Sequence, residues 1–353
     1  MSGPRFVIVC GSGGVGKTTT SAAIGLRAAR GGERVLVVTV DPARRLAQVL
    51  RIDGGDTGTV PVGGGGSLTV TMLDTKAGWD SLIRRHARDA ATAERVLRNP
   101  LYHNITARFV NSHDYIAMEK VNELASSGLY DLVVVDTPPS RNGLDLLAAP
   151  QRMREFFGGR LLRWLTFPYR NRVAALAAKP FLVVADRLLG AQFLGDVAEF
   201  FVLLQSMEPG FVRRAEEVES LLRSERVTCA VVASAERGSV EEAVFLVERL
   251  RSRAMHVSMA VMNRTVGSAA VPAAGETLPS PEEVTARVRG IDASAVLDEI
   301  AQVGARLADT AARHSAGVAA VRAVVDDVRV VPLVRTRGAG DVLEAIAGQV
   351  GPR

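Results

Sequence analysis

The sequence predicts an α/β fold: a mostly parallel sheet covered by helices on both faces, forming a single domain over 1–353 with a helical subdomain inserted at about 144–226. Three observations predict it. Short segments such as "RFVIVC" and "YDLVVVD" are apolar throughout, as strands buried on both faces must be. Helical patterns separate them, which is how parallel strands are joined. Hydrophobic residues make up 47% of the 353 and aromatics only 5%, so a sizeable core is filled mainly by aliphatic side chains.

The elements follow in order. Arg5–Cys10 is the first strand, and Lys17–Gly32 a helix closing on glycines. Arg34–Val40 is the next strand. Leu68–Leu73 follows a glycine-rich loop, Gly63–Gly66. Helices are expected over about Trp79–Leu97 and Asp114–Ser127, and a strand over Tyr130–Asp136. Leu144–Arg226 contains no clear strand. Thr228–Ser234, a helix near Val240–Ser252 and Val257–Asn263 resume the alternation. A loop rich in Ala, Gly, Pro and Ser covers Gly267–Pro281. A long helical stretch reaches about Val325, then come strand Val328–Leu333 and a short helix from Gly340.

The formal net charge is +5 and the pI is near 9.6. Lys17, Lys76, Lys120 and Lys179 are the only lysines, so the positive charge is nearly all arginine. Spread over this length it describes a solvated basic surface, and no specific nucleic-acid partner is expected. Cys10 and Cys229 each fall in an apolar strand. That excludes a disulfide framework and a cysteine zinc cluster within one chain, and reads both as small core residues. His86, His103, His113, His256 and His314 lack ligand spacing and read as surface or capping side chains. No apolar run reaches the roughly 18 residues of a membrane span, and no signal peptide precedes Arg5. A soluble, cytoplasmic protein is expected, peripheral at the membrane at most.

The strongest motif is "CGSGGVGKTTT", Cys10–Thr20, which fits Gly-x4-Gly-Lys-Thr between a strand and a helix. Its glycines let the backbone curl so that successive N–H groups of Gly11, Ser12, Gly13, Gly14, Val15, Gly16, Lys17, Thr18 and Thr19 point at phosphate oxygens. The helix that follows offers its positive end to the same anion. Lys17 neutralises the β- and γ-phosphates, and Thr18 places a hydroxyl on Mg²⁺. Asp41 and Asp136 each follow an apolar strand, at the end of the sheet where ligands bind. A carboxylate there either holds Mg²⁺ through water or orients the attacking water.

With these pieces in view, "GSGGVGKTTTSAA", "VDPARRL" and "VVVDTPPSRNGLDLL" resemble the ArsA-type deviant-Walker P-loop ATPases, which comprise arsenical-pump and tail-anchored-protein targeting ATPases. "MLDTKAGWD", "HDYIAMEKVNEL", "MNRT" and "VVPL" extend the resemblance nearly end to end, and it is strongest toward the actinobacterial "anion-transporting ATPase" branch. The resemblance implies a Mg²⁺-dependent ATPase in which Thr18 and Asp136 serve the metal and Asp41 orients water. It also implies that Asn263 reads adenine with Pro332 and Leu333 beside it, and that ATP is chosen over GTP.

Three departures matter. The family's second lysine, which crosses a dimer interface to the partner's phosphates, is Ser12 here. Losing such a cation slows hydrolysis, since trans-acting arginines elsewhere contribute roughly 10³–10⁵ in rate. Either Arg44 or Arg45 does its work, in cis or across a dimer, or a related subunit supplies it in a hetero-oligomer. Second, neither cysteine lies where a thiolate arsenite site is built, and the Cys-x-x-Cys pair of an interfacial zinc is absent, so no zinc site is expected. Third, 144–226 concentrates Phe156, Phe157, Trp164, Phe167, Phe181, Phe193, Phe200 and Phe201 with Met153 and Met207. These form either the core of a helical subdomain or a groove for an apolar client helix; contact with an anionic membrane is a further option.

The expected function is an ATP-driven conformational switch. It would act as a homodimer or with a paralogous ATPase, and would couple nucleotide state to a hydrophobic client helix, a membrane protein or a related subunit. A ParA/MinD-like positioning ATPase on DNA or membrane is the alternative, together with a binding-only pseudo-ATPase. A kinase is more distant.

Overall fold

The structure, a computed structural model, describes residues 3–40, 45–50, 57–99, 102, 112–137, 148–152, 154–155, 200, 202–203, 205–267, 279–288, 290, 292–333 and 339–350. The strands are β1 (Arg5–Cys10), β2 (Arg34–Thr39), β3 (Thr57–Val60), β4 (Ser67–Met72), β5 (Leu132–Asp136), β6 (Val227–Ser234), β7 (His256–Thr265) and β8 (Val328–Pro332). The helices are α1 (Lys17–Arg30), α2 (Arg45–Leu50), α3 (Thr75–His86), α4 (Ala90–Arg98), α5 (Ser112–Ala125), α6 (Glu208–Leu222), α7 (Arg237–Ser252), α8 (Pro281–Arg287), α9 (Ala293–Arg322) and α10 (Ala339–Gln349).

All eight strands form one sheet in the order β3-β4-β2-β5-β1-β6-β7-β8. Every pairing is parallel except β3 with β4, so the sheet is mostly parallel as expected. The edge strand β3, "TGTV", was not foreseen. It has no apolar run, and its residues alternate between exposed and half-buried, so nothing local distinguishes it from loop.

Period-two alternation sorts the strands' side chains onto two covered faces. Phe6, Ile8 and Cys10 face one way with Val133, Val135 and Val231, under α5, α6, α7 and α9. Val9, Val35, Val37, Val134 and Val232 face the other way, under α1, α2 and α10. Helix α10 spends its apolar face, Leu343, Ile346 and Ala347, in this layer, so it is a structural cover of the sheet. Cys10 and Cys229 are both fully buried on adjacent strands and are free thiols.

The single helix expected near Trp79–Leu97 is two helices. Asp74 caps α3 by accepting from the Ala77 N–H, and Asp89 caps α4 by accepting from the Thr92 N–H. Each satisfies one orphan donor of a helix start, and Asp89 was the legible break. A third core joins α3, α4, α5 and α6 through Trp79, Ile83, Val96, Tyr115 and Phe211. Phe200 and Met207 are buried in it, which is the core reading for those two. Phe156, Phe157, Trp164, Phe167, Phe181, Phe193, Phe201 and Met153, with most of 144–226, lie outside the described residues.

His314 departs from the surface reading of the histidines. It is buried in α9. Its Nδ1 accepts from the Val266 N–H at 2.9 Å, and its Nε2 lies 3.4 Å from Glu236 Oε1. Among the described residues, no helix is long and apolar enough to cross a membrane.

Candidate functional site

Strand register brings distant residues to one edge. Val9 pairs with Asp136, Asp136 with Thr39, Ser234 with Asn263, and Thr265 with Pro332. All lie at or next to C-terminal strand ends. The chain leaves β1 for β2 on one side, while β6, β7 and β8 build the other. Ligand crevices open at such a reversal.

The loop after β1 holds its shape through two glycines that no other residue could replace. Gly11 has φ 148°, and a Cβ there would lie 2.1 Å from the Val232 carbonyl oxygen. Gly16 has φ 99°, and a Cβ there would meet Asn263 Nδ2 at 2.3 Å. Gly13 and Gly14 are exposed, and Val15 is buried in the sheet layer. Helix α1 starts without a side-chain cap and without an acidic residue in its first turn, so its positive end is unneutralised by its own first turn. Lys17 is buried and folds back over the loop, donating to the carbonyls of Gly11 at 2.9 Å and Ser12 at 2.8 Å.

Under the loop sits Asp136, fully buried. It accepts from Thr39 Oγ1 at 3.1 Å and from Ser21 Oγ at 3.4 Å, and the Thr18 side chain lies near enough to favour its charged form. Burial pushes its carboxyl up to about 6, against the opposing pull of Thr18, Thr39, Lys17 and Ser21. The neighbouring Thr137 donates to the Val9 carbonyl at 2.7 Å and locks the ends of β5 and β1 together. Sequence reasoning missed Thr39, Ser21 and Thr137. Ser21 lies one turn beyond Lys17 and Thr39 is the one polar residue closing β2, but only the sheet order shows that both meet Asp136.

Ser12 turns inward within the chain: its Oγ is 3.4 Å from Ser239 Oγ, which accepts the Ser234 N–H at 3.0 Å. Asn263 is also buried and turned to the loop. Its Nδ2 donates to the Val15 carbonyl at 2.8 Å, and its Oδ1 accepts from the Arg264 N–H at 2.9 Å. The β7–β8 register shifts between Met262 and Thr265, and Arg264 adopts φ 56°. This bulge re-aims Asn263 toward Val15. Pro332 and Leu333 are exposed on the same edge, where the Leu333 N–H donates to the Thr265 carbonyl at 2.8 Å. The structure thus brings together the loop from Gly11 to Thr19, Asp136 and Asn263, with Pro332 and Leu333 at the rim. Asp41 and Arg44 lie outside the described residues; Arg45 opens α2, but its side chain is not described.

A parallel sheet whose central strand runs through a glycine loop into a helix, with a strand-end aspartate beneath the lysine, has the P-loop nucleoside-triphosphatase fold. Within that class the chain belongs to the anion-transporting ATPase family, which it matches over residues 4–273. It is 34% identical over 179 residues to an uncharacterized protein of Streptomyces coelicolor, covering 50% of this chain and 43% of the relative. It is 24% identical over 266 residues to a putative arsenical pump-driving ATPase of Chlorobaculum tepidum, covering 74% and 61%. It is 27% identical over 147 residues to the ATPase GET3 of Malassezia globosa, covering 41% and 42%. The chain thus spans about half the length of the curated relatives it matches.

Proposed function

We propose that the chain binds and hydrolyses Mg²⁺·ATP at this loop as a conformational switch, coupling nucleotide state to a client, a membrane partner or a related subunit. The observation that carries the reading is the buried Asp136 carboxylate at the end of β5, held by Thr39 and Ser21, with the glycine loop and its buried Lys17 at the same strand ends. Thr18 and Asp136 are a hard-oxygen pair of the kind Mg²⁺ takes. A carboxyl raised to about 6 by burial is one that a nearby dication keeps ionised. When bound, Mg²⁺ supplies charge neutralisation at the phosphate oxygens. The loop amides and the start of α1 hold the phosphates, and Lys17 turns from the Gly11 and Ser12 carbonyls to them. Asp41 orients the attacking water. Thr39 and Ser21 keep Asp136 in place, and Asn263 takes the adenine with Pro332 and Leu333 at its side.

The orientation of Ser12 along Ser239 favours another source for the cation that the family's second lysine provides. Arg44 or Arg45 supplies it, or a related subunit does. Cys10 and Cys229 are sealed in the sheet, which speaks against a thiolate arsenical site on this chain. Phosphate release by the full chain, with Lys17→Ala, Arg44→Ala and Arg45→Ala beside it, tests the reading. Lys17→Ala should lower turnover at least about 100-fold. Absent ATP binding, or turnover indifferent to Lys17, overturns the ATPase. Unchanged turnover in both arginine variants removes the arginines and leaves the related subunit.

A further inference from the structure

The long helix α9 is buried over its second half only. Ala311, His314, Val318 and Val321 face the body of the protein, and His314 bonds to Val266 just past the end of β7. From that level the helix runs on past the strand ends, on the edge that carries the phosphate loop, as roughly 27 Å of overhang over 293–310. Apart from Ala293, no residue of the overhang is buried. Of the eight exposed large apolar residues among those described, Val296, Ile300 and Val303 lie on it and Val288 just before it; Leu129, Val202, Phe245 and Leu333 are scattered. That concentration marks an interaction face.

The spacing identifies the occupant. Val296, Ile300, Val303 and Leu307 recur at the four-three-four intervals of a coiled-coil seam. The same face of the helix, after a second four-residue step from Leu307 to Ala311, continues through His314, Val318 and Val321, the stripe that the second half of α9 buries. We infer that the overhang pairs with that of a second copy of this chain as an antiparallel two-helix coiled coil, with the two-fold axis between Ala301 and Gln302. Ile300 of one copy then lies against Val303 of the other, and Val296 against Leu307. Glu299 of one copy comes beside Arg306 of the other, twice by symmetry. Parallel pairing would instead set these charges beside Gly304 and Ala311 and satisfy neither. A stripe that complements itself in shape and charge is what an isologous contact requires. The seam is short, so the association is concentration dependent. His314 joins α9 to the segments following β6 and β7 through Glu236 and Val266, so the paired helices stand on elements shared with the phosphate-loop edge. The inference does not depend on the nucleotide reading.

Sedimentation of the full chain without nucleotide, up to about 200 µM, tests it. Dimer should form, and Ile300→Glu or Val303→Glu should weaken it at least tenfold while circular dichroism is unchanged. Glu299→Arg and Arg306→Glu should each weaken association, and the two together should restore it. The double variant Ile300→Cys/Val303→Cys should cross-link between chains under oxidation, and Ile300→Cys alone should not; the native thiols are buried. A monomer throughout, a dimer indifferent to Ile300→Glu, or cross-linking by Ile300→Cys alone overturns the inference. None of these outcomes bears on ATP hydrolysis, which Lys17→Ala tests separately.

Discussion

The Asn263 side-chain amide donates to the Val15 carbonyl across 2.8 Å, tying the end of β7 to the phosphate loop 248 residues earlier in the chain. Its carbonyl end holds the Arg264 N–H. Asn263→Ala leaves both backbone groups unpaired in a buried place. We expect a loss of about 1–3 kcal/mol in chemical denaturation, together with weaker ATP binding by titration calorimetry, because the loop loses its outer support.

Gly16 stands against the same amide. Gly16→Ala adds a Cβ within 2.3 Å of Asn263 Nδ2 at a φ of 99°. The positive φ alone costs on the order of 1–3 kcal/mol. The variant should show a lower Tm and no measurable nucleotide binding. Binding at the unchanged affinity would mean that the loop takes another shape when loaded.

Asp136 makes stability depend on pH in a defined direction. Its carboxyl titrates near 6 in the folded chain against 3.8 ordinarily. The folded state therefore holds the proton more tightly. That advantage is complete below about pH 4 and is lost as pH rises to 6. The difference corresponds to roughly 3 kcal/mol at neutral pH. Asp136→Asn should therefore be more stable than the parent at pH 8 by up to that amount, and no more stable at pH 4, while losing hydrolysis. For the parent, Mg²⁺·ATP affinity should fall as pH drops below 6, since the carboxyl must give up its proton. Denaturation curves at the two pH values and calorimetry across pH 5–8 check both.

Ser12 offers a test of the missing cation. Its hydroxyl contact with Ser239 is long at 3.4 Å, so Ser12→Lys should change stability by less than about 0.5 kcal/mol. If two copies close across their phosphate loops, the introduced lysine restores the family's charge there and turnover should rise at least about tenfold. A flat rate at all protein concentrations would exclude that mode of closure for this chain.

Much of the fold and half of the site were legible in the primary structure. The strands β1, β2, β5, β6 and β7 are apolar runs whose burial on both faces leaves no room for polar alternation. The glycine loop is a local arrangement, since the spacing from Gly11 to Thr18 alone sets amides, lysine and hydroxyl within one short turn between β1 and α1. Asp136 was visible because a polar residue at the end of an apolar strand is conspicuous. The edge strand β3 was not visible, because it has no buried face of its own. The split between α3 and α4 could have been read from Asp89.

Sequence alone thus determined the parallel α/β class, the glycine loop with its lysine and the strand-end carboxylate, because each depends on residues within a few positions of one another. Only the tertiary structure decided that Asn263 supports Val15, that Ser21 and Thr39 hold Asp136, that Ser12 turns to Ser239 and that half of α9 stands clear of the core. Those relations follow from strand order and register, which place residues tens to hundreds of positions apart side by side, and no local pattern encodes them.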